Sequence, residues 1–233
     1  MNYFVFGDLN SKDFNVFISG EYTFASPERD VDIVAVAGRD GTLSIDNGRF
    51  NNVEIKYPCA IVHDFRQNYN SFKAAILAQK GYKRLADSYD VDHFRRARFL
   101  SSLDPEMTQL NRHGQFDVVF DCDPRRFLKI GDKVKEFTAA GSLRNPTMYD
   151  SKPLIRAYGT GSFTIGSTSV QITTASVYTD IDCELQEAYK GSTNCNGNIV
   201  LTNGEFPVFA PGVNSISFTG LTQLDITPRW YTI

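Results

Sequence analysis

The sequence predicts a mainly β protein of two domains, and three observations lead to this prediction. The chain has 18 Phe, 11 Tyr and 17 Gly among 233 residues, a composition that favours strands and turns. Apolar and polar residues alternate in short segments bounded by Gly, Asn and Pro, which is typical of half-buried antiparallel strands. Only four of the 24 basic residues lie beyond position 145, and such a step in composition indicates a domain boundary. We therefore predict a first domain over residues 1–144 and a second over residues 145–233.

The first domain is predicted to consist mostly of strands. Residues 31–36 (VDIVAV) predict one strand, and apolar and polar side chains alternate in residues 53–57 and 115–122. Residues 38–41 (Gly-Arg-Asp-Gly) predict a turn, because glycine adopts positive φ at no steric cost. We therefore expect a hairpin that runs through this turn to residue 49.

One short α-helix is predicted in the first domain, over residues 70–79. Its apolar side chains recur at helical spacing and form a stripe that would lie on a sheet: Tyr69, Phe72 and Ile76. Asn68 or Asn70 can cap the free N–H groups at its start, and Gly81 suits the left-handed position that ends a helix. A helix this short depends on packing against the strands.

The second domain is predicted to be a β-sandwich built of strands alone. Apolar pairs at i and i+2 mark its short strands: Phe163/Ile165, Val170/Ile172, Ile216/Phe218 and Leu224/Ile226. In residues 177–185 the odd positions face one way, and Asp180, Asp182 and Glu184 face the other. Carboxylates two residues apart on a strand are separated by about 6.6 Å, which permits a glycosidase pair. A charged solvent face of the sandwich is the simpler interpretation.

Charge and cysteine content exclude several classes of protein. The formal net charge is −3, which argues against a dedicated nucleic-acid binder, because such a protein needs a basic face. No stretch approaches the roughly 18 apolar residues of a membrane span, and the first residues lack the pattern of a secretion signal. The four cysteines form no C-x-x-C pair and are expected to be reduced thiols: Cys59, Cys122, Cys183 and Cys195.

Residue patterns that carry catalysis or bind metals are weak in this chain. There are only three histidines: His63, His93 and His113. His63-Asp64 and the cluster at residues 90–93 contain metal-ligand types, but neighbours on a strand point apart and residues 90–93 are expected to form a loop. Residues 159–161 (Gly-Thr-Gly) lack the Lys and the following helix of a phosphate-binding loop and predict a turn. We therefore expect no catalytic, cofactor-binding or metal-binding residue, and no cofactor.

A set of short segments, taken in order along the chain, is specific although no single segment is. In the first domain these are residues 24–31 (FASPERDV), 36–41 (VAGRDG), 46–53 (DNGRFNNV), 57–58 (YP), 81–85 (GYKRL), 114–117 (GQFD) and 124–128 (PRRFL). In the second domain they are residues 145–146 (NP), 151–155 (SKPLI), 181–184 (IDCE), 212–214 (GVN) and 226–231 (ITPRWY). The ordered set resembles the distal tail protein (Dit) family of siphophages, the long, non-contractile-tailed phages, that infect Gram-positive bacteria.

The resemblance implies a structural protein of the virion rather than an enzyme. Members of the family form a six-fold ring at the distal end of the tail, which leaves a channel for DNA. The resemblance implies an N-terminal β-sandwich or split barrel with a helix, which builds the ring, and a galectin-like C-terminal sandwich. Expected partners are other copies of the chain, the tail tube protein, the tail-associated fibre or lysin protein and receptor-binding proteins. Assembly in the host cytoplasm, no specific nucleic-acid binding and no membrane insertion are expected.

Two sets of residues are candidates for contacts with other molecules. The hairpin that contains residues 38–49 is expected to bridge neighbouring subunits, with Arg39, Asp40 and Arg49 at the interface. The alternative function is a carbohydrate-binding adhesion module, in which the second domain recognises cell-wall polysaccharide of the host. Its candidate sugar contacts are Trp230 and Tyr231, because aromatic rings serve as stacking platforms.

Overall fold

The chain folds into two compact units. The computed structural model describes residues 1–20, 25–109, 112–175 and 177–233, so that Phe24, which opens the first family-like segment, lies outside the described residues. The first unit comprises Met1–Arg126 with Ile233, and the second comprises Phe127–Thr232. This division lies upstream of the predicted boundary at residues 144/145. The charge-dense residues just before that boundary form strands that pair within the second unit, so composition and packing change at different points.

Strands account for 52% of the chain, and the described part contains one α-helix. The elements that begin in the first unit are β1 (Phe4–Phe6), β2 (Leu9–Asn10), β3 (Phe17–Ile18), β4 (Arg29–Ala35), β5 (Thr42–Phe50), β6 (Val53–Ile61), α1 (Phe65–Leu77), β7 (Lys83–Asp87), β8 (His93–Phe99), β9 (Glu106–Gln109) and β10 (His113–Leu128). Those of the second unit are β11 (Lys135–Phe137), β12 (Gly141–Asn145), β13 (Leu154–Tyr158), β14 (Gly161–Ile165), β15 (Thr168–Ile172), β16 (Tyr178–Asp182), β17 (Glu187–Lys190), β18 (Thr193–Asn194), β19 (Ile199–Leu201), β20 (Gly212–Thr219), β21 (Gln223–Thr227) and β22 (Tyr231–Thr232).

The first unit is a curled sheet with the helix packed on its buried face. Its strands follow the order β2-β1-β7-β8-β10-β6-β3, and β9 also pairs with β10. The sheet forms a half barrel, which agrees with the split-barrel form of the prediction. The apolar stripe of α1 is buried, and Tyr69 and Phe72 contact Phe116 of β10 with ring centroids 5.3 and 5.7 Å apart. The predicted mainly β class with one helix is confirmed.

The helix begins earlier than the sequence predicts. It starts at Phe65 and ends at Leu77, and the capping residue is Asp64 in the left-handed conformation (φ 48°). The Asp64 side chain makes no capping hydrogen bond, and Asn68 donates instead to the carbonyl of His63. The predicted Asn cap is therefore wrong, because the chain turns into the helix through its backbone conformation rather than through a polar side chain.

A cluster of aromatic rings fills the core of the first unit. Phe4 stacks on Tyr57 with ring centroids 5.3 Å apart, and Phe120 meets both rings edge to face. The Tyr57 hydroxyl donates a 2.7 Å hydrogen bond to Asp87, which satisfies its one polar atom. Aromatic pairs of this kind add about 0.5–1.5 kcal/mol each beyond the burial of their area. These aromatic contacts therefore help to stabilise the packing of the half barrel.

Replacing Gly114 with Ala is expected to destabilise the first unit. A Cβ on this buried residue of β10 would lie 2.3 Å from the Phe65 ring, so the ring must move. We expect a loss of about 1–3 kcal/mol in the free energy of unfolding, which is the usual cost of overpacking. Urea denaturation measures the loss, with Gly197→Ala as the control, because a Cβ at Gly197 meets open space. Equal urea midpoints for the two variants would contradict the close packing of Gly114 against the Phe65 ring.

The second unit is a β-sandwich, as predicted. One sheet follows the order β11-β21-β13-β16-β17-β18 and the other β12-β20-β14-β15-β19. Both sheets contribute to one buried core, which includes Ile155, Ile181 and Ile226 of the first sheet and Phe163 and Ile216 of the second. The galectin-like character of this sandwich stays a prediction.

Candidate functional site: an exposed β-hairpin

Strands β4 and β5 form a hairpin that pairs with no other sheet in the described part of the chain. Gly38 and Gly41 adopt φ near 79° and 78° at its tip, where the N–H of Arg39 donates to the carbonyl of Val36. The predicted turn at residues 38–41 is therefore present, and glycine supplies the positive φ that it requires. We call residues 29–50 the hairpin arm.

The hairpin arm exposes apolar side chains on both faces. Val34 and Leu43 are paired across the strands and share one face, whereas Ile33 lies on the other. Ile33 is 71% exposed and Ile45 is 54% exposed, and Val34, Val36 and Leu43 are exposed as well. A two-stranded hairpin is marginally stable in water, and clustered exposed apolar residues mark interaction surfaces. The arm therefore has the character of a binding element.

Charged residues surround the apolar side chains of the arm. Arg49 donates a 2.6 Å hydrogen bond to Asp30, which holds the pKa of Asp30 below its ordinary value. Within the residues that the structure describes, Asp32 and Asp40 have no ion-pair partner. Exposed ion pairs such as Arg49–Asp30 contribute little to stability. The charged side chains of the arm can therefore form complementary contacts that fix its register against another molecule.

The three predicted interface residues all lie on the arm. Arg39 and Asp40 occupy its tip, and Arg49 lies near its base beside Asp30. Sequence reasoning did not single out the exposed apolar residues, because a nearly continuous apolar run such as residues 31–36 is typical of a buried strand. In the part of the chain that the structure describes, neither face of the arm is covered.

The two candidate sugar contacts occupy different environments. Trp230 is 3% exposed, and its ring packs edge to face against Phe209 with centroids 5.3 Å apart. Contrary to the prediction, Trp230 offers no ring face to a sugar, because the ring is buried in the core of the sandwich. Tyr231 is half-buried and stacks on Tyr149 at 5.6 Å, so one of its faces is also covered.

The acids on β16 are structural ion pairs rather than a solvent face or a glycosidase pair. Asp180 accepts two hydrogen bonds from Arg156, at 2.7 and 3.0 Å, and Asp182 accepts two from Arg229, at 2.8 and 2.9 Å. Both carboxylates are buried, which corrects the expected solvent exposure. Burial raises the pKa of Asp182, but the hydrogen bonds from Arg229 outweigh it and leave the pKa below the ordinary value. A general acid needs the opposite shift.

His93 is part of a small ion-pair cluster with Asp90 and Arg126. His93 Nδ1 lies 2.7 Å from Asp90, which also accepts a hydrogen bond from Arg126. Burial raises the pKa of Asp90, but these hydrogen bonds outweigh it and lower the pKa. Within the described ranges, no three His, Cys, Asp or Glu side chains are grouped as metal ligands would be. Gly159 and Thr160 form the predicted turn between β13 and β14, and Gly161 begins β14.

Only one of the four cysteines is expected to react with a thiol reagent in the native protein. Cys59, Cys122 and Cys183 are buried, and burial raises the pKa of Cys122 and Cys183 to about 12 and that of Cys59 further. Cys195 is half-buried. Reaction with Ellman's reagent should therefore modify one thiol per folded chain and all four after unfolding. Cys195→Ser should abolish the native reaction, and a rate unchanged in this variant would contradict the assignment.

No helix in the described part of the chain combines the length and apolar character needed to cross a bilayer.

Comparisons with known proteins give a match at the level of the fold. No model of a protein family matches the chain, and no curated protein matches it. Solved structures that are similar in fold over nearly the whole chain include a protein of a phage hub adsorption apparatus and phage baseplates.

One of them is the crystal structure of the SPP1 Dit (gp 19.1) protein, described as a paradigm of the hub adsorption apparatus in phages that infect Gram-positive bacteria. It is 12% identical, with a TM-score of 0.72 over 100% of both chains. Two others are structures of the phage P2 baseplate in its activated conformation, with Ca and with Sr. They are 10% and 9% identical, with TM-scores of 0.54 and 0.52 over 97% of both chains. The Dit-like fold that the resemblance implies is therefore confirmed, and the galectin-like character of the second unit stays a prediction.

Proposed function

We propose that the chain is a distal tail protein of a siphophage that infects Gram-positive bacteria. In this proposal six copies form a closed ring at the distal end of the tail, without catalysis and without a cofactor. The observation that carries the proposal is the likeness in fold to SPP1 Dit over the full length of both chains. A match that spans both units supports a common architectural role more strongly than a match to one sandwich would.

The hairpin arm supplies a means of closing such a ring. In a ring, one surface of each subunit meets a different surface of the next, so each chain needs a protruding patch that its own fold leaves uncovered. Val34, Leu43 and Ile45, which share one face of the arm, are such a patch, and Ile33 is exposed on the other face. Arg39 and Asp40 at the tip and Arg49 at the base add charges that fix the register with the neighbour.

The ring is proposed to join the tail tube protein on one side to the tail-associated fibre or lysin protein on the other. Receptor-binding proteins would attach around it, with the galectin-like second unit as one attachment surface. DNA would pass through the central channel. The net charge of −3 suits that passage, because a strongly basic protein would retain DNA by releasing its counterions. Assembly takes place in the host cytoplasm, and the mature protein is part of the virion.

Negative-stain electron microscopy of the purified full-length chain tests this proposal. We expect ring-shaped particles whose averaged views have six-fold symmetry and a central hole. Particles of single chains, or assemblies without rotational symmetry, would overturn it.

A further inference from the structure

Helix α1 and the turn after it form a basic surface whose charge is not neutralised by ion pairs. Residues 65–86 contain five basic residues and no acidic residue, although the net charge of the chain is −3. Four of these cations are exposed and have no ion-pair partner within the described residues: Arg66, Lys73, Lys80 and Lys83. In contrast, Arg98, Arg156 and Arg229 each pair with a carboxylate. We call the exposed side of α1 that contains Arg66 and Lys73 the basic face.

An exposed leucine lies on the basic face. Arg66, Lys73 and Leu77 follow one another at seven and four residues along α1, so they lie on one side of the helix. Leu77 is 57% exposed. The exposed residues beside this row include Ser71 and Ala74, whose small side chains allow another element to approach the helix closely. The basic face therefore fits a surface on which a carboxylate lies beside exposed apolar side chains.

The hairpin arm has this complementary pattern on one of its faces. Cross-strand pairing places one carboxylate and three exposed apolar side chains together: Asp32, Val34, Leu43 and Ile45. Asp32 is exposed and accepts a 3.3 Å hydrogen bond from Asn47, but it has no ion-pair partner within the described residues. This face of the arm is therefore apolar with one negative charge that is not neutralised.

The two surfaces also agree in the spacing of their side chains. Residues two apart on a strand are separated by about 6.6 Å, which is the spacing of Asp32 and Val34 on the arm. Residues four apart on a helix are separated by about 6 Å along its axis, which is the spacing of Lys73 and Leu77. Asp32 can therefore pair with Lys73 while Val34 packs against Leu77.

Two other exposed apolar residues of the first unit do not offer this match. Val91 is followed by the exposed Asp92, which would repel an acidic surface. Leu100 lies two residues from Arg98, whose guanidinium already pairs with Asp121 at 2.6 Å. Of the three, only Leu77 lies beside basic charge that is not neutralised.

We propose that the hairpin arm of one copy binds the basic face of α1 on the next copy, with Asp32 opposite Lys73. This inference rests on the proposed ring and names the surface that receives the arm. The arm and α1 are different surfaces of the same chain, so the contact is heterologous and can repeat around a closed ring. The opposite charges favour one register of the arm over others.

Chemical cross-linking of the full-length chain tests this contact. Leu43→Cys/Leu77→Cys places one thiol on the arm and one on α1, and Cys195→Ser in the same chain leaves only buried native thiols. A short bismaleimide should then join each copy to the next and give a ladder of up to six chains on a denaturing gel. Val200→Cys/Leu77→Cys in the same background is the matched control, because Val200 is exposed but lies on β19 of the second unit. The control should run as a single chain.

Charge reversal gives a second readout of the same contact. Lys73→Glu places like charges opposite each other, so it should raise the concentration at which the ring dissociates about fivefold. Addition of Asp32→Lys inverts the pair and should restore the wild-type value. Lys133→Glu is the control, since Lys133 is an exposed cation of the second unit, and it should leave the dissociation unchanged. Sedimentation equilibrium over a series of concentrations measures all four proteins.

Failure of this contact and failure of the ring are distinguishable in these samples. Six-copy particles of Leu43→Cys/Leu77→Cys that give no ladder would overturn the contact, leave the ring in place and assign the basic face to a different chain. An Asp32→Lys change that does not restore the ring of Lys73→Glu would overturn the contact in the same way. Wild-type particles of a single chain would overturn the proposed function together with this inference.

Discussion

The double variant Ile33→Asp/Ile45→Lys is expected to convert the proposed ring of six copies into single chains. Both side chains are largely exposed in the isolated chain, so their replacement does not disturb its core. Lys at position 45 would lie opposite Asp32 on the partner strand, which favours the hairpin itself. The two changes leave the net charge unaltered. Each isoleucine that is buried against a neighbour contributes about 1.5–3 kcal/mol, and every contact of the ring would lose both.

Sedimentation velocity measures this effect, and circular dichroism with thermal unfolding establishes that the single chains remain folded. Val200→Asp is a suitable control, because Val200 has the same 54% exposure as Ile45 but lies on β19 of the second unit. The control should sediment as the wild-type ring does. A double variant that kept the wild-type mass would show that the arm does not hold the copies together.

The second large effect is expected for Asp182→Asn. Asn has the shape of Asp but no charge, so among the described residues the substitution leaves Glu184, at 3.6 Å, as the one carboxylate paired with the half-buried guanidinium of Arg229. Breaking a buried ion pair by removing one partner costs about 3–5 kcal/mol. Arg229 also holds φ 58°, a strained conformation for a residue with a side chain, and the two hydrogen bonds to Asp182 help to keep it there. We expect a loss of about 3 kcal/mol, measured by urea denaturation.

The same variant should alter the dependence of stability on pH. Since the pKa of Asp182 is lowered in the folded protein, its contribution is present above the ordinary carboxyl pKa of about 4 and is lost as the pH falls through the folded value. The wild type should therefore lose stability in acid, and Asp182→Asn should lose less over that range. Glu184→Gln is the control, with an expected change within about 1 kcal/mol. If the urea midpoint of Asp182→Asn at neutral pH equalled that of the wild type, the stabilising role of the Asp182–Arg229 ion pair would be contradicted.

Local sequence patterns predicted those parts of the fold that depend on near neighbours. Alternation placed Phe116, Val118 and Phe120 on the buried face of β10, and helical spacing placed Phe72 and Ile76 against the sheet. Each of these assignments depends on the period of the element alone. The start of the helix was missed, because the left-handed backbone at Asp64 leaves no signal in side-chain chemistry.

The sites were harder to predict because their partners are distant in sequence. Asp180 and Asp182 have the pattern of a solvent face, and only pairing with Arg156 and Arg229 makes their burial possible. Thr179 was assigned correctly to the inward side of its strand. The exposed faces of the hairpin arm were missed, because an apolar run does not reveal whether a second layer covers it.

The mass of the full-length wild-type chain in solution is the most direct test of the proposed ring. Six copies of the 26.1 kDa chain give about 157 kDa, and sedimentation equilibrium at micromolar concentration should yield this value. A single species of 26.1 kDa at every concentration would contradict the account.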